Sequence, residues 1–177
     1  MRTTLCIVVG ALLMLGAAAG AAADQVPPPW KRQPALKGTQ GDAALVAREW
    51  SKAANRESCA PMAFDSIRLM GDGARPRAAY FGGGWGVAYD KPGRRSAFGI
   101  AGAGIRADAR SIERWPVVLR WADGSAAGYG PEGDVGPGYL AYLKVTGQGC
   151  LYNVWSNLGS RHLRFLIGQL RQVRPPR

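Results

Sequence analysis

Histidine is nearly absent from this sequence, which contains only His162 among 177 residues. A structural zinc site needs four Cys or His ligands, and Ser–His or Cys–His catalysis needs a histidine beside the nucleophile. The Gly-x-Ser-x-Gly turn that presents a hydrolase serine does not occur in the chain. The sequence therefore gives no support for metal-based or triad-based chemistry, and we expect neither a metal nor a cofactor.

Acidic residues are also scarce, with 12 Asp and Glu against 23 Lys and Arg and a formal charge of +11. Subtracting Arg2, the one charged residue of the leader described below, leaves +10 for the rest of the chain. Outside the cytoplasm, such a surface meets anionic envelope polymers, lipid head groups or acidic proteins more often than nucleic acid. The alternative is that the charge serves solubility alone.

Long apolar runs are missing except at the amino terminus. Arg2 is followed by an apolar segment over residues 5–15, and the small residues 21–23 precede Asp24. This order is typical of a cleaved secretory signal. A retained anchor is the alternative, because residues 5–23 are just long enough to span a thin bilayer. We predict a signal peptide over residues 1–23 and a periplasmic or secreted mature protein.

Cysteine is limited to three residues, and Cys6 lies inside the predicted signal. Cys59 and Cys150 remain, and two thiols without a third competitor indicate one disulfide in an oxidising compartment. A metal site would lack ligands, and a catalytic thiol would have only His162 as its base. The disulfide would join the end of a first helix to a carboxy-terminal hairpin.

The predicted fold is α+β: an antiparallel sheet of five or six short strands with an amino-terminal and a carboxy-terminal helix on one face. Residues 24–41 are a Pro-rich, basic tether in which Trp30 either docks on the domain or stays free. One globular domain spans residues 42–173, beginning with a helix capped by Asp42. Residues 174–177 form a basic tail.

The carboxy-terminal half predicts a hairpin and a helix. Residues 139–146 and 150–155 are extended runs, and Gly147 and Gly149 between them permit the positive φ of a tight turn. The helix follows, because apolar residues recur every three or four positions. They are Leu163, Leu166, Ile167, Leu170 and Val173.

A second hairpin is predicted from residues 80–89 and 96–105, where large side chains alternate with glycine or alanine. Glycine weakens a strand, so the bare face needs a cause. Close packing of other elements is one, and a flat surface for a ligand is the other. Residues 124–138, which are rich in glycine and proline, predict a mobile surface loop or a recognition loop.

The candidate anion-binding or partner-binding residues are arginines with two aromatic neighbours. A short helix over residues 106–115 would place three guanidinium groups on one side, suited to phosphate or carboxylate. A solvated helix face is the alternative. The full candidate set is Arg94, Arg95, Arg106, Arg110, Arg114, Trp85 and Tyr129.

Two functions remain. The first is an exported, non-catalytic binding module for an anionic partner, which is either an envelope polymer or an acidic protein, as for an inhibitor or immunity protein. Peripheral contact with a membrane belongs to the same class, and nucleic acid is not expected. The second is a small secreted hydrolase using a carboxylate pair, which requires a defined separation between two acids. The acids available are Asp65, Asp90, Asp123 and Asp134.

Overall fold

A computed structural model describes residues 26–65, 73–106, 110–133 and 138–176, except for the side chains of residues 105, 106 and 110. The described chain is α+β, as predicted. Its helices and strands alternate irregularly along the sequence. They are α1 (Pro29–Arg32), β1 (Leu36–Lys37), α2 (Gly41–Lys52), β2 (Met62–Phe64), β3 (Arg75–Ala78), β4 (Trp85–Lys91), β5 (Arg94–Arg106), α3 (Arg110–Glu113), β6 (Val117–Arg120), β7 (Ala126–Pro131), β8 (Tyr139–Lys144), β9 (Cys150–Ser156), α4 (Ser160–Gly168) and β10 (Leu170–Arg174).

Seven strands form one antiparallel sheet in the order β3-β4-β5-β9-β8-β7-β6. Both predicted hairpins are present, and glycine with positive φ turns each of them: Gly93 (φ +70°) between β4 and β5, and Gly147 (φ +84°) between β8 and β9. A smaller sheet has the order β1-β10-β2, with β1 parallel and β2 antiparallel to β10. The described strands therefore outnumber the five or six that the sequence predicts.

One face of the large sheet, which we call the inner face, holds the main core. Val87, Ile100 and Val154 lie side by side across β4, β5 and β9, and each is fully buried. α2, α4 and the small sheet cover this face, because Val46 of α2 and Leu166 of α4 belong to the same buried cluster. Two helices thus share one face, as the periodicity of their apolar residues predicts.

The opposite, outer face is built largely from glycine and alanine. Gly86 pairs with Ala101, and Ala88 pairs with Gly99, so the first hairpin carries almost no side-chain volume there. A Cβ atom on Gly128 would collide with the backbone of Ile112, so α3 lies directly on this face. Helices therefore occur on both faces of the sheet, unlike the one-sided arrangement predicted from the sequence.

The predicted disulfide between Cys59 and Cys150 is confirmed, with an S–S distance of 2.02 Å and a Cα–Cα distance of 5.3 Å. It joins the turn after α2 to the start of β9. Hydrogen bonds surround it: the Trp50 indole donates to the Cys59 carbonyl at 2.8 Å, and the Tyr152 hydroxyl donates to the Ala60 carbonyl at 2.9 Å. The disulfide suggests an oxidising environment.

The carboxy-terminal helix is shorter than predicted. It ends at Gly168, where the Gln169 amide donates back to the Phe165 and Leu166 carbonyls. Leu170 and Val173 are buried as expected, but they belong to the strand β10 and not to the helix. Residues three apart share one side of a helix but lie on opposite faces of a strand, and both are buried in β10, the middle strand of the small sheet, so burial alone did not distinguish the two.

The tether expected over residues 24–41 docks on the domain at residues 28–30 and through β1, although most of its other described residues are exposed. Trp30 is 3 % exposed, and its ring meets Trp121 edge-on at 5.1 Å, so docking is the alternative that holds. The Lys31 ammonium lies 2.9 Å from Asp123, and the Ala122 amide donates to the Val26 carbonyl. The free, solvated path expected for this segment therefore does not hold at residues 28–30 and in β1, whereas residues 31–34 and 39–41 are exposed.

Two further expectations need correction. Gln40 precedes α2 as its cap and makes no side-chain capping bond, whereas Asp42 lies inside the first turn. Residues 126–131, expected in a loose loop, form β7, which lies between β8 and the edge strand β6 and is almost entirely buried. Glycine in this strand lets Trp115 and Pro116 approach, since a Cβ on Gly130 would lie 2.8 Å from Pro116.

Candidate functional site

Four exposed arginines lie at one end of the large sheet, and we call this group the basic end: Arg94, Arg95, Arg161 and Arg164. The sheet register brings them together. β5 begins at the turn that carries Arg94, and Phe98 near that start pairs with Ser156 at the end of β9. Because α4 begins four residues after Ser156, its first turn lies beside the β4–β5 turn.

Direct contacts fix this arrangement. The Arg94 guanidinium donates to the Asn157 carbonyl, and the Asn157 amide side chain donates to the Ser96 carbonyl at 3.1 Å. Arg161 and Arg164 follow on α4, three residues apart and therefore on neighbouring positions of its exposed surface. Phe165, 40 % exposed, lies one turn from Arg161. The sequence analysis did not select the two helix arginines, although they fall opposite the buried stripe of α4.

The negative charge nearest to the basic end is already engaged. The backbone amide of Ser96 donates to the Asp90 carboxylate at 2.7 Å, and Arg77 lies 3.0 Å from it. The Ser96 bond, together with Arg77 and Arg95, holds the pKa of Asp90 below its ordinary value. Within the described part of the chain, Arg161 and Arg164 have no ion pair. The basic end therefore keeps an uncompensated positive charge.

The acids proposed for a hydrolase are each bound to a cation. Asp65 lies 2.9 Å from Arg171, Asp90 pairs with Arg77, and Asp123 pairs with Lys31. Asp90 in β4 and Asp123 beside β7 are four strand spacings apart, about 19 Å at ~4.8 Å per strand. Glycosidase carboxyl groups lie only about 5–9.5 Å apart. Asp134 lies outside the described residues.

A serine and the single histidine do meet, but in the core. The Ser156 hydroxyl and His162 Nδ1 are 2.9 Å apart, and the Leu158 amide donates to the same hydroxyl at 3.0 Å. Ser156 is fully buried, so a substrate carbonyl has no access to it. The His162 ring also meets Phe98 edge-on at 5.0 Å. This pair anchors the start of α4 to β9.

One described carboxyl, Asp42, has a pKa above its ordinary value. Burial raises the pKa of Asp42, and burial also raises the pKa of Tyr89 beside it well above its ordinary value. Tyr89 is 1 % exposed and stacks on Phe98 at 4.7 Å. The pair therefore belongs to the packing of α2 on β4. Among the described residues, no cluster of three or more Cys, His, Asp or Glu could hold a metal ion.

The remaining predicted site residues do not lie together on one surface. Trp85 is 1 % exposed and Tyr129 is 4 % exposed, so neither belongs to a surface. Arg106 ends β5 and Arg110 begins α3, so the helix expected to align them with Arg114 does not exist. Arg114 is exposed, with its guanidinium 5.1 Å from the Tyr142 ring centroid and 5.8 Å from that of Trp115.

A row of part-exposed rings crosses the outer face, and we call it the aromatic band: Phe81, Trp155, Tyr142 and Trp115. Phe81 and Trp155 have ring centroids 5.7 Å apart, and Trp115 meets Tyr142 edge-on at 5.4 Å. The sequence analysis noted the bare glycine face beneath these rings but not the rings themselves, because they come from four separate segments.

Comparison with known proteins found no matching family model, no similar curated protein and no similar solved structure. None of the helices in the described residues is both long enough and apolar enough to cross a membrane. The predicted signal peptide lies outside the described residues.

Proposed function

We propose that this protein is an exported, non-catalytic binding module that holds an anionic partner at its basic end. The observation that carries the proposal is the pair of exposed arginines on α4, Arg161 and Arg164, which form no described ion pair and follow shortly after Asn157, whose carbonyl Arg94 contacts. Elsewhere Asp65, Asp90, Asp123, Glu49 and Glu113 are bound to cations.

The disulfide supports the location, because Cys59–Cys150 suits an oxidising compartment. In such a compartment the anionic partners are envelope polymers, acidic lipid surfaces and acidic proteins, including a toxin or hydrolase that an inhibitor would block. A planar guanidinium binds the carboxylate or phosphate of any of these through paired hydrogen bonds.

The hydrolase alternative receives less support. Asp65, Asp90 and Asp123 are each tied to a basic side chain, and the low pKa of Asp90 keeps that group ionised at neutral pH. A general acid must instead hold its proton near neutral pH. We therefore propose binding without turnover.

The test compares two charge-matched variants of the mature, oxidised protein. Arg161→Gln/Arg164→Gln removes two charges from the basic end, and Lys37→Gln/Arg174→Gln removes two from the opposite end. The control residues pair across β1 and β10, where the Val173 amide bonds to Pro61, close to the disulfide at the far end of β9.

Binding to carboxylated and phosphorylated polymers is measured against salt concentration. We expect the Arg161/Arg164 variant to bind roughly 2- to 30-fold more weakly at low salt, from about 0.2–1 kcal/mol per exposed charge pair. The difference shrinks as salt screens it. Equal losses in the two variants, or binding that salt does not weaken, would contradict the proposal.

A further inference from the structure

The rings of the aromatic band pack against glycine residues of the sheet. A Cβ atom on Gly99 would collide with the Trp155 ring, and one on Gly86 would lie 2.6 Å from the Phe81 ring. A Cβ on Gly128 would lie 2.7 Å from the Trp115 ring. The missing Cβ atoms therefore let the rings lie directly against the backbone of the sheet, and the band is low and flat.

The band is also continuous. Trp155 on β9 pairs with Leu140 on β8, and Tyr142 is two residues further along the same strand and face. Trp155 and Tyr142 are therefore diagonal neighbours, about 7–8 Å apart, a distance that aromatic side chains bridge. From Phe81 above β4 to Trp115 above β7, the band crosses four strand spacings, or about 19 Å at ~4.8 Å each.

The guanidinium group of Arg114 lies at one end of the aromatic band. The Arg114 guanidinium lies over both Tyr142 and Trp115, and Arg114 has no ion pair among the described residues. Stacking on the rings holds the guanidinium in place while leaving its edge available to a carboxylate or phosphate. An elongated apolar strip and an exposed positive group thus occur on one surface.

We propose that the aromatic band and Arg114 bind the sugar rings and acid groups of an anionic polysaccharide. This rests on the proposed function and names its partner. Pyranose rings present flat C–H faces that stack on aromatic rings, and the row offers successive stacking positions. An acidic protein would instead be expected to bury its anchors in fully desolvated pockets, which this low surface does not provide.

The test uses alginate as a carboxylated polysaccharide, dextran as a neutral one and polyglutamate as an acidic polypeptide. Each is titrated into the oxidised protein, and binding is followed by tryptophan fluorescence and by affinity electrophoresis. The variants are Tyr142→Leu, with Tyr142→Phe as the conservative rescue. Thermal unfolding establishes that each variant is folded.

We expect alginate to bind more tightly than polyglutamate and to perturb tryptophan fluorescence. Tyr142→Leu should weaken alginate binding roughly 2- to 10-fold, the range of one aromatic contact, while Tyr142→Phe keeps it. Equal binding of alginate and polyglutamate, or an unchanged affinity in Tyr142→Leu, would overturn the inference.

The two proposals fail in different ways. If Arg161→Gln/Arg164→Gln weakens the binding of alginate and polyglutamate alike and Tyr142→Leu has no effect, the basic end binds anions and the polysaccharide assignment is wrong. If Tyr142→Leu weakens alginate binding and the Arg161/Arg164 variant does not, the aromatic band stands and the role of the basic end is wrong.

Discussion

The two faces of the seven-stranded sheet differ in the size of the side chains that they carry. On the inner face, Phe98, Ile100 and Val154 interlock with helices from both ends of the chain. On the outer face, the alternate residues of β4 and β5 are mostly glycine and alanine, covered in part by rings from separate segments. The inner face therefore determines the fold, whereas the outer face leaves part-exposed rings available for contact with a ligand.

The largest expected effect is on the inner face. Phe98 is fully buried between Tyr89, Phe64 and His162. Phe98→Ala should lower the free energy of unfolding by about 3–5 kcal/mol, because it removes apolar burial and leaves a cavity. Urea denaturation followed by near-ultraviolet circular dichroism measures the loss. A loss below about 1 kcal/mol, as for a typical surface substitution, would remove the distinction between the faces.

The disulfide is the next largest contribution. Cys59→Ser/Cys150→Ser should lower the free energy of unfolding by about 2–5 kcal/mol, since the bond closes a loop with a sequence separation of 91 residues. Equilibrium unfolding of the variant and of the reduced wild type should agree. An unchanged unfolding midpoint after reduction would mean that the inner core alone holds α2 to β9.

A methyl group on the outer face should have an intermediate effect. Gly99→Ala would place a Cβ against the Trp155 ring and 2.6 Å from the Val87 carbonyl oxygen. The variant should lose about 1–3 kcal/mol through overpacking. Gly168→Ala is the matched control, because nothing lies within 4 Å of that Cβ and alanine favours the helix by about 0.5–1 kcal/mol. If both variants were equally stable, the rings would not rest on the sheet as described.

The smallest expected effect concerns the segment that carries Trp30. Burial raises the pKa of Asp123, but the bonds from Lys31 and Ser125 outweigh it and hold that pKa below its ordinary value of 3.8. A depressed carboxyl pKa contributes stability above the unfolded pKa, and that contribution is lost as pH falls through the folded pKa. Asp123→Asn should therefore cost about 1 kcal/mol at neutral pH and less in acid.

The free energy of unfolding, measured from neutral pH to about pH 2, tests this pH dependence. The stabilisation by Asp123 should be lost between its unfolded pKa and its lower folded pKa. The curves for wild type and Asp123→Asn should converge as the pH falls. A gap that stays constant across this range would mean that Asp123 stabilises the docked segment by packing and not by its charge.

Local chemistry explains which parts of the fold the sequence predicts. Gly93 and Gly147 adopt the positive φ that their hairpins need, and two cysteines leave one pairing once the leader is set aside. Trp30 docks on Trp121, 91 positions away, and no local pattern encodes such a contact. Likewise β7 is a buried strand because Trp115 and Pro116 fill the space above its glycines, which the composition of residues 126–131 alone could not indicate.

The sequence also predicts the candidate site only in part. Exposure of Arg94, Arg95 and Arg114 follows from turn and surface positions, and the sequence selected all three. The neighbourhood of Arg94 and α4 depends on the pairing of Phe98 with Ser156, a tertiary register that sequence periodicity does not contain. Trp85 and Tyr129 failed as surface candidates because alternation along a strand does not tell which face is inner.

The position of β10 has a consequence for biosynthesis. This strand lies between β1 and β2, although Leu36 pairs with Val173, which lies 137 positions later in the chain. A ribosome delivers β10 after every other described strand, so neither neighbour can complete its hydrogen bonding earlier. The small sheet must therefore assemble after synthesis of residue 174, once every strand of the large sheet has already been made.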